Sequence, residues 1–66
     1  MLSKFSRILE YLAIDGEWHT VEEVAEAVGQ NITETSELLS KLAYFNFVEF
    51  DEKGRVRVDP EFRRLP

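Results

Sequence analysis

Three times in succession this chain places apolar residues at helical spacing and then stops the run with a residue that tolerates left-handed backbone. Phe5, Ile8, Leu9 and Leu12 stand at i, i+3, i+4 and i+7, which puts four large apolar groups on one helical face, and the run stops near Asp15-Gly16. Val21, Val24, Ala25 and Val28 make a second stripe, closed by Gly29. Thr35, Leu39, Leu42 and Phe45 make a third, expected to face inward, with Leu38 on its edge and Asn46 as the stop.

The starts are as legible as the stops. Ser3 suits the N-cap of the first helix. Thr20-Val21-Glu22-Glu23 is a capping box: the Thr20 hydroxyl can accept from the Glu23 amide, while the Glu23 carboxylate reaches back to the Thr20 amide. Between these helices Glu17-Trp18-His19 is short and extended, and Trp18 is expected to plug the gap between helices because its ring is costly to expose. Gln30-Asn31-Ile32 forms the next turn. Thr33 is the expected cap of the third helix, with Ile32 as a hydrophobic staple, and Asn31 is a rival cap at capping-box spacing from Glu34. This helix should run to about Phe45.

After Asn46 the period changes from helical to alternating. Val48 and Phe50 alternate with Glu49 and Asp51, and Val56 and Val58 alternate with Arg55 and Arg57. The Asp51-Glu52-Lys53-Gly54 stretch supplies the turn of a hairpin. One face of the hairpin is apolar and should pack on the helices. The other sets Glu49 and Asp51 against Arg55, Arg57 and Asp59. Pro60 should end the second strand, and Phe62 and Leu65 are available to fold the tail onto the core. The fold class is therefore α+β, three helices followed by a two-stranded hairpin, and residues 1–66 read as a single domain.

That order of elements resembles the winged helix-turn-helix superfamily of archaeal and bacterial regulators. The resemblance rests on Thr20 as the cap opening helix two (with His19 where an apolar residue is usual), Val24-Ala25 followed by Val28-Gly29, and Ile32-Thr33 at the entry to the third helix. It continues with the ladder Leu39, Leu42, Phe45, then Asn46-Phe47-Val48 in place of Gly-Leu-Val, and Gly54-Arg55-Val56 as the wing turn and return strand. The resemblance implies a third helix that enters the major groove of double-stranded DNA and a homodimer through the first helix and the tail.

Composition bears on function rather than fold. The apolar share of 44% and charged share of 32% suit a folded globule. There are no cysteines and one histidine, His19, which removes thiolate chemistry, disulfides and cysteine-ligated zinc. Asp15, Glu17 and His19 imitate a carboxylate–histidine arrangement, but no nucleophile or phosphate-binding loop accompanies them. No enzyme, cofactor or metal site is expected. No apolar run reaches the roughly 20 residues that span a bilayer, and the N-terminus, with Glu10 and no small-residue cleavage site, does not read as a signal peptide. The expected compartment is the cytoplasm.

The formal charge is −5, and it is unevenly spread: acids outnumber bases over residues 1–46, whereas residues 47–66 balance. Two functional readings follow. In the first, DNA is bound through Ser36, Ser40 and Lys41 on the third helix and Lys53, Arg55 and Arg57 on the wing; against it, Glu34 and Glu37 on the same helix and Glu22, Glu23 and Glu26 on the second repel phosphates. In the second, the domain is a protein-interaction module whose contact strip is Leu38, Tyr44 and Phe47.

Overall fold

The computed structural model describes residues 3–63, and side chains as far as Glu61. It contains α1 (Lys4–Ala13), α2 (Val21–Val28), α3 (Ile32–Tyr44), β1 (Val48–Phe50), β2 (Val56–Val58) and a single-turn α4 (Pro60–Arg63). Three helices followed by an antiparallel hairpin is the expected architecture. Pro60 does end the second strand, and it also opens α4, as a residue preset for the first helical position can. The proposed packing of Phe62 and Leu65 lies outside the described side chains.

Each helix start is fixed by a side-chain acceptor for an otherwise orphaned amide. Ser3 Oγ accepts from the Ser6 amide at 3.1 Å. The capping box is complete, with the Glu23 amide donating to Thr20 Oγ1 at 3.1 Å and the Thr20 amide to Glu23 Oε1 at 2.9 Å. At α3 the rival cap wins: Asn31 Oδ1 accepts from the Glu34 amide at 2.7 Å. The helix thus begins two residues before Thr33 would start it, and Ile32 becomes its exposed first residue rather than a staple. Gly29, at φ 72, and Asn46, at φ 63, take the left-handed conformation that ends α2 and terminates the turn after α3.

The stripes meet in one core. Ile8 and Leu12 from α1, Val24 and Val28 from α2, and Leu39 and Leu42 from α3 pack with Val48, Val56 and Val58 of the hairpin. Each such side chain contributes about 1.5–3 kcal/mol by leaving water. Phe5, Leu9, Val21, Leu38 and Phe47 close the periphery. The hairpin register pairs Val48 with Val58, Glu49 with Arg57 and Phe50 with Val56. His19 extends the sheet: its amide donates to Val56 O and the Val56 amide to His19 O, both at 2.8 Å. The short extended segment is therefore a one-residue third strand that fastens the α1–α2 connection to the wing.

Three expectations about packing fail for identifiable reasons. Phe45 is 63% exposed rather than inward: it caps α3 one turn beyond the last core residue, Leu42, and borders the groove lined by Phe5, Leu9 and Phe47 instead of entering the core. Phe50 is also exposed, at the outer end of a three-residue strand beside the turn. Trp18 is half-buried and does not fill a gap between helices; its ring lies beneath Arg57, with the guanidinium carbon 4.5 Å from the ring centre.

Candidate nucleic-acid interface

The outer face of α3 is set by what its inner face buries. With Thr35, Leu39 and Leu42 in the core, Thr33, Ser36, Glu37, Ser40 and Lys41 point to solvent. Asn31, Thr33, Glu34, Glu37, Leu38 and Lys41 line an open concavity of about 480 Å³ along this face. The sequence-predicted group Ser36, Ser40 and Lys41 is thus brought together on one exposed helical surface. Glu34 is half-buried and pairs with Lys4 of α1, so one of the two acids on this face is neutralised from within the fold.

The wing residues fare differently. Asp51 organises the turn: Oδ1 accepts from the amides of Lys53 at 2.9 Å and Arg55 at 2.8 Å, and Oδ2 accepts from Arg55 Nε at 2.7 Å. Gly54, at φ 82, closes the turn by donating to Asp51 O. Burial of the Asp51 carboxyl pushes its pKa up, but the Arg55 amide and guanidinium and the Lys53 amide outweigh this and hold it below the ordinary value. Arg57 Nε donates to Glu49, directly opposite in the register, while its guanidinium covers Trp18. Arg55 and Arg57 are therefore committed to carboxylates. Lys53 is exposed at the turn, and among the described residues neither it nor Lys41 has an ion-pair partner.

The pairing of Asp51 with Arg55 was expected from the hairpin's polar face, whereas the capping of two amides by Asp51 and the stacking of Arg57 on Trp18 were not read from the sequence. The Asp51 network had a signal in the chain, an aspartate followed two and four residues later by the amides it caps. The stacking of Arg57 on Trp18 had none, since the two are distant in sequence.

The residues of the alternative reading are not all in one place. Leu38 lines the α3 concavity, whereas Phe47 lines an apolar groove of about 300 Å³ between α1 and the end of α3, with Phe5, Leu9, Leu42 and Phe45. Tyr44 is 81% exposed. It meets Phe45 edge-on at 5.2 Å between ring centres, and Phe45 lies 6.4 Å from Phe47. Phe45, assigned to the core from its spacing, is the aromatic that joins the other two.

His19 serves a structural purpose. Its Nε2 lies 3.0 Å from Asp15 Oδ1, and its Nδ1 lies 3.4 Å from the Tyr11 hydroxyl and 3.9 Å from Glu23 Oε2. Glu17 joins through its amide, which donates to Asp15 Oδ1 at 2.9 Å. That amide, then the His19 side chain, lowers the Asp15 pKa. The Tyr11 hydroxyl is pushed up by its burial, then by the charges of Glu23, Asp15 and Glu26. Among the described residues no group of three or more His, Cys, Asp or Glu could hold a metal ion.

Residues 2–52 match the IclR helix-turn-helix domain. The chain belongs to that family. Neither a curated protein nor a solved structure gives a significant match. The IclR match runs from the first helix through β1, so it contains Ser36, Ser40 and Lys41 and stops just before Lys53 and the return strand. Membership makes this a winged-helix domain of a DNA-binding regulatory family rather than a catalytic one. Among the described residues, no helix of this IclR-family domain is long and apolar enough to cross a membrane.

Proposed function

We propose that this IclR-family domain acts in transcriptional regulation by laying α3 in the major groove of duplex DNA. Ser36, Ser40 and Lys41 meet base edges and adjacent phosphates, and Lys53 of the wing holds the flanking backbone. The observation that carries the reading is the uncovered polar face of α3, held rigidly by a core that occupies the opposite face. Arg55 and Arg57 contribute less than their charge suggests, because Asp51 and Glu49 already neutralise them. Two free lysines facing the duplex displace about two counterions, which gives a log–log salt slope of about −2. Two copies of the domain would set their third helices in successive major grooves, about 34 Å apart.

Fluorescence anisotropy with labelled random-sequence duplex tests this. Affinity should fall about tenfold between about 50 mM and about 200 mM salt. Lys53→Ala should flatten the slope by about 0.9, while Ser40→Ala should change preference between sequences more than overall affinity. Absence of binding at low salt with the protein at high micromolar concentration would refute the proposal.

A second reading concerns the apolar groove and its rim of Tyr44 and Phe45, a large aromatic surface at the end of α3. We infer a protein contact there, with a second copy of the domain as occupant. Tyr44→Ala combined with Phe45→Ser should leave cooperative thermal unfolding intact and reduce self-association in sedimentation equilibrium. Unchanged association would remove this reading.

A further inference from the structure

Glu37 is the anomaly on the DNA-facing surface. A carboxylate on a helix meant for the major groove is repelled by phosphates on both sides, and it lowers affinity for every sequence unless it meets a donor. The fold offers it none: Glu37 is exposed and, among the described residues, has no ion pair, whereas its neighbour Glu34 is neutralised by Lys4. Lys41 stands one turn further along, lines the same concavity and is likewise unpaired. At i, i+4 the two side chains are neighbours, about 5–6 Å apart at Cβ, yet their charges remain separate and available to a ligand.

The major groove contains one base pair that matches such a couple. A C·G pair presents the cytosine N4 amino group, a donor, beside guanine O6 and N7, both acceptors. Carboxylates accept from cytosine N4, and lysine donates to guanine O6 and N7. A T·A pair reverses this pattern, placing thymine O4, an acceptor, and a methyl group on the pyrimidine side.

We propose that Glu37 and Lys41 together read a C·G base pair, Glu37 accepting from cytosine N4 and Lys41 donating to the guanine edge, so that Glu37 gives up general affinity for base discrimination. This rests on α3 being the groove-entering helix. It makes Glu37 a specificity-determining residue whose loss strengthens binding to most sequences instead of weakening it, an outcome that a structural or a phosphate-contacting role does not produce.

The experiment is sequence selection from a random duplex library with the wild-type domain, followed by anisotropy on the selected duplex and on versions in which each C·G pair is changed to T·A. One such change should weaken wild-type binding about tenfold. Glu37→Ala should bind the two duplexes within about twofold of each other, and bind the T·A version more tightly than wild type does, since a repulsive charge has gone. Glu37→Gln, which keeps the shape of the side chain, should shift the selected pair from C·G towards A·T, because a carboxamide pairs with adenine N6 and N7. Thermal melts of both variants should match wild type, as expected for an exposed residue. The proposal is overturned if wild type binds duplex with no C·G requirement, or if Glu37→Ala retains the wild-type preference. Failure of wild type to bind any duplex overturns the DNA-binding reading itself, and this inference with it.

Discussion

Thr35 is the one described residue on α3 whose chemistry conflicts with its place. It has no exposed surface, and its Oγ1 is buried without a hydrogen-bond partner. The carbonyl one turn back, Asn31 O, already accepts from the Thr35 amide at 3.0 Å. A buried hydroxyl left unsatisfied costs about 1–3 kcal/mol. Thr35→Val replaces that oxygen with a methyl group of similar size, keeps the β-branch, and leaves helix propensity nearly unchanged. The expected result is a gain of about 1 kcal/mol, taken at the low end of that range, and a rise in Tm of about 4–8 °C for a domain of this size. Thr35→Ser is the control. It keeps the hydroxyl and deletes the methyl, and should lose about 1 kcal/mol. Thermal melts followed by circular dichroism measure both, and urea titrations with unchanged slope confirm that stability changed while the surface exposed on unfolding did not. A lower Tm for Thr35→Val than for wild type would show that the hydroxyl is satisfied in the folded protein and that the reasoning is wrong.

Further outcomes follow from the caps, the carboxylates and the wing. Thr20→Ala removes one half of the capping box and should cost about 1 kcal/mol, read as a lower urea midpoint; no change would mean that α2 is held by packing alone. Acid should destabilise the domain through Asp15, Glu23 and Asp51. The Glu17 amide and then His19 lower Asp15, the Thr20 amide lowers Glu23, and hydrogen bonds from Arg55 and Lys53 override the burial of Asp51. Folded-state values below the ordinary 3.8 and 4.5 mean that this stabilisation is complete above those values and disappears as pH falls through the depressed ones. Urea midpoints should therefore decline as pH falls below about 4, and a midpoint constant between about pH 5 and about pH 2 would contradict the geometry. Glu49→Gln leaves Arg57 stacked on Trp18 without its carboxylate, and should steepen the salt dependence of DNA binding by about 0.9. An unchanged slope would place Arg57 away from the phosphate backbone.

What the chain determines by itself is everything settled within one helical turn or one hairpin. The Thr20–Glu23 box, the stops at Gly29 and Asn46, and the alternation of Val48 and of Val56 and Val58 depend on neighbours three or four residues away or directly across a short turn, so residue order reveals them. The pairing of Glu49 with Arg57 was legible for the same reason. Where two local solutions competed, as Asn31 and Thr33 did for the start of α3, sequence offered both and the fold selected the earlier one. Phe45 shows the boundary: its spacing from Leu42 is helical, yet that it borders the groove instead of entering the core was decided only in the packed structure. The same is true of the surface that matters for DNA. Ser36, Ser40 and Lys41 could be placed on one face from the helical period alone. That Lys4 neutralises Glu34 and leaves Glu37 free, and that Trp18 lies beneath Arg57, required α1, the His19 strand and the wing to be brought together. Local hydrogen bonds and periodicity fix the elements, but the charge left available to a partner depends on contacts between residues far apart in the chain, which only burial of the common core brings within reach.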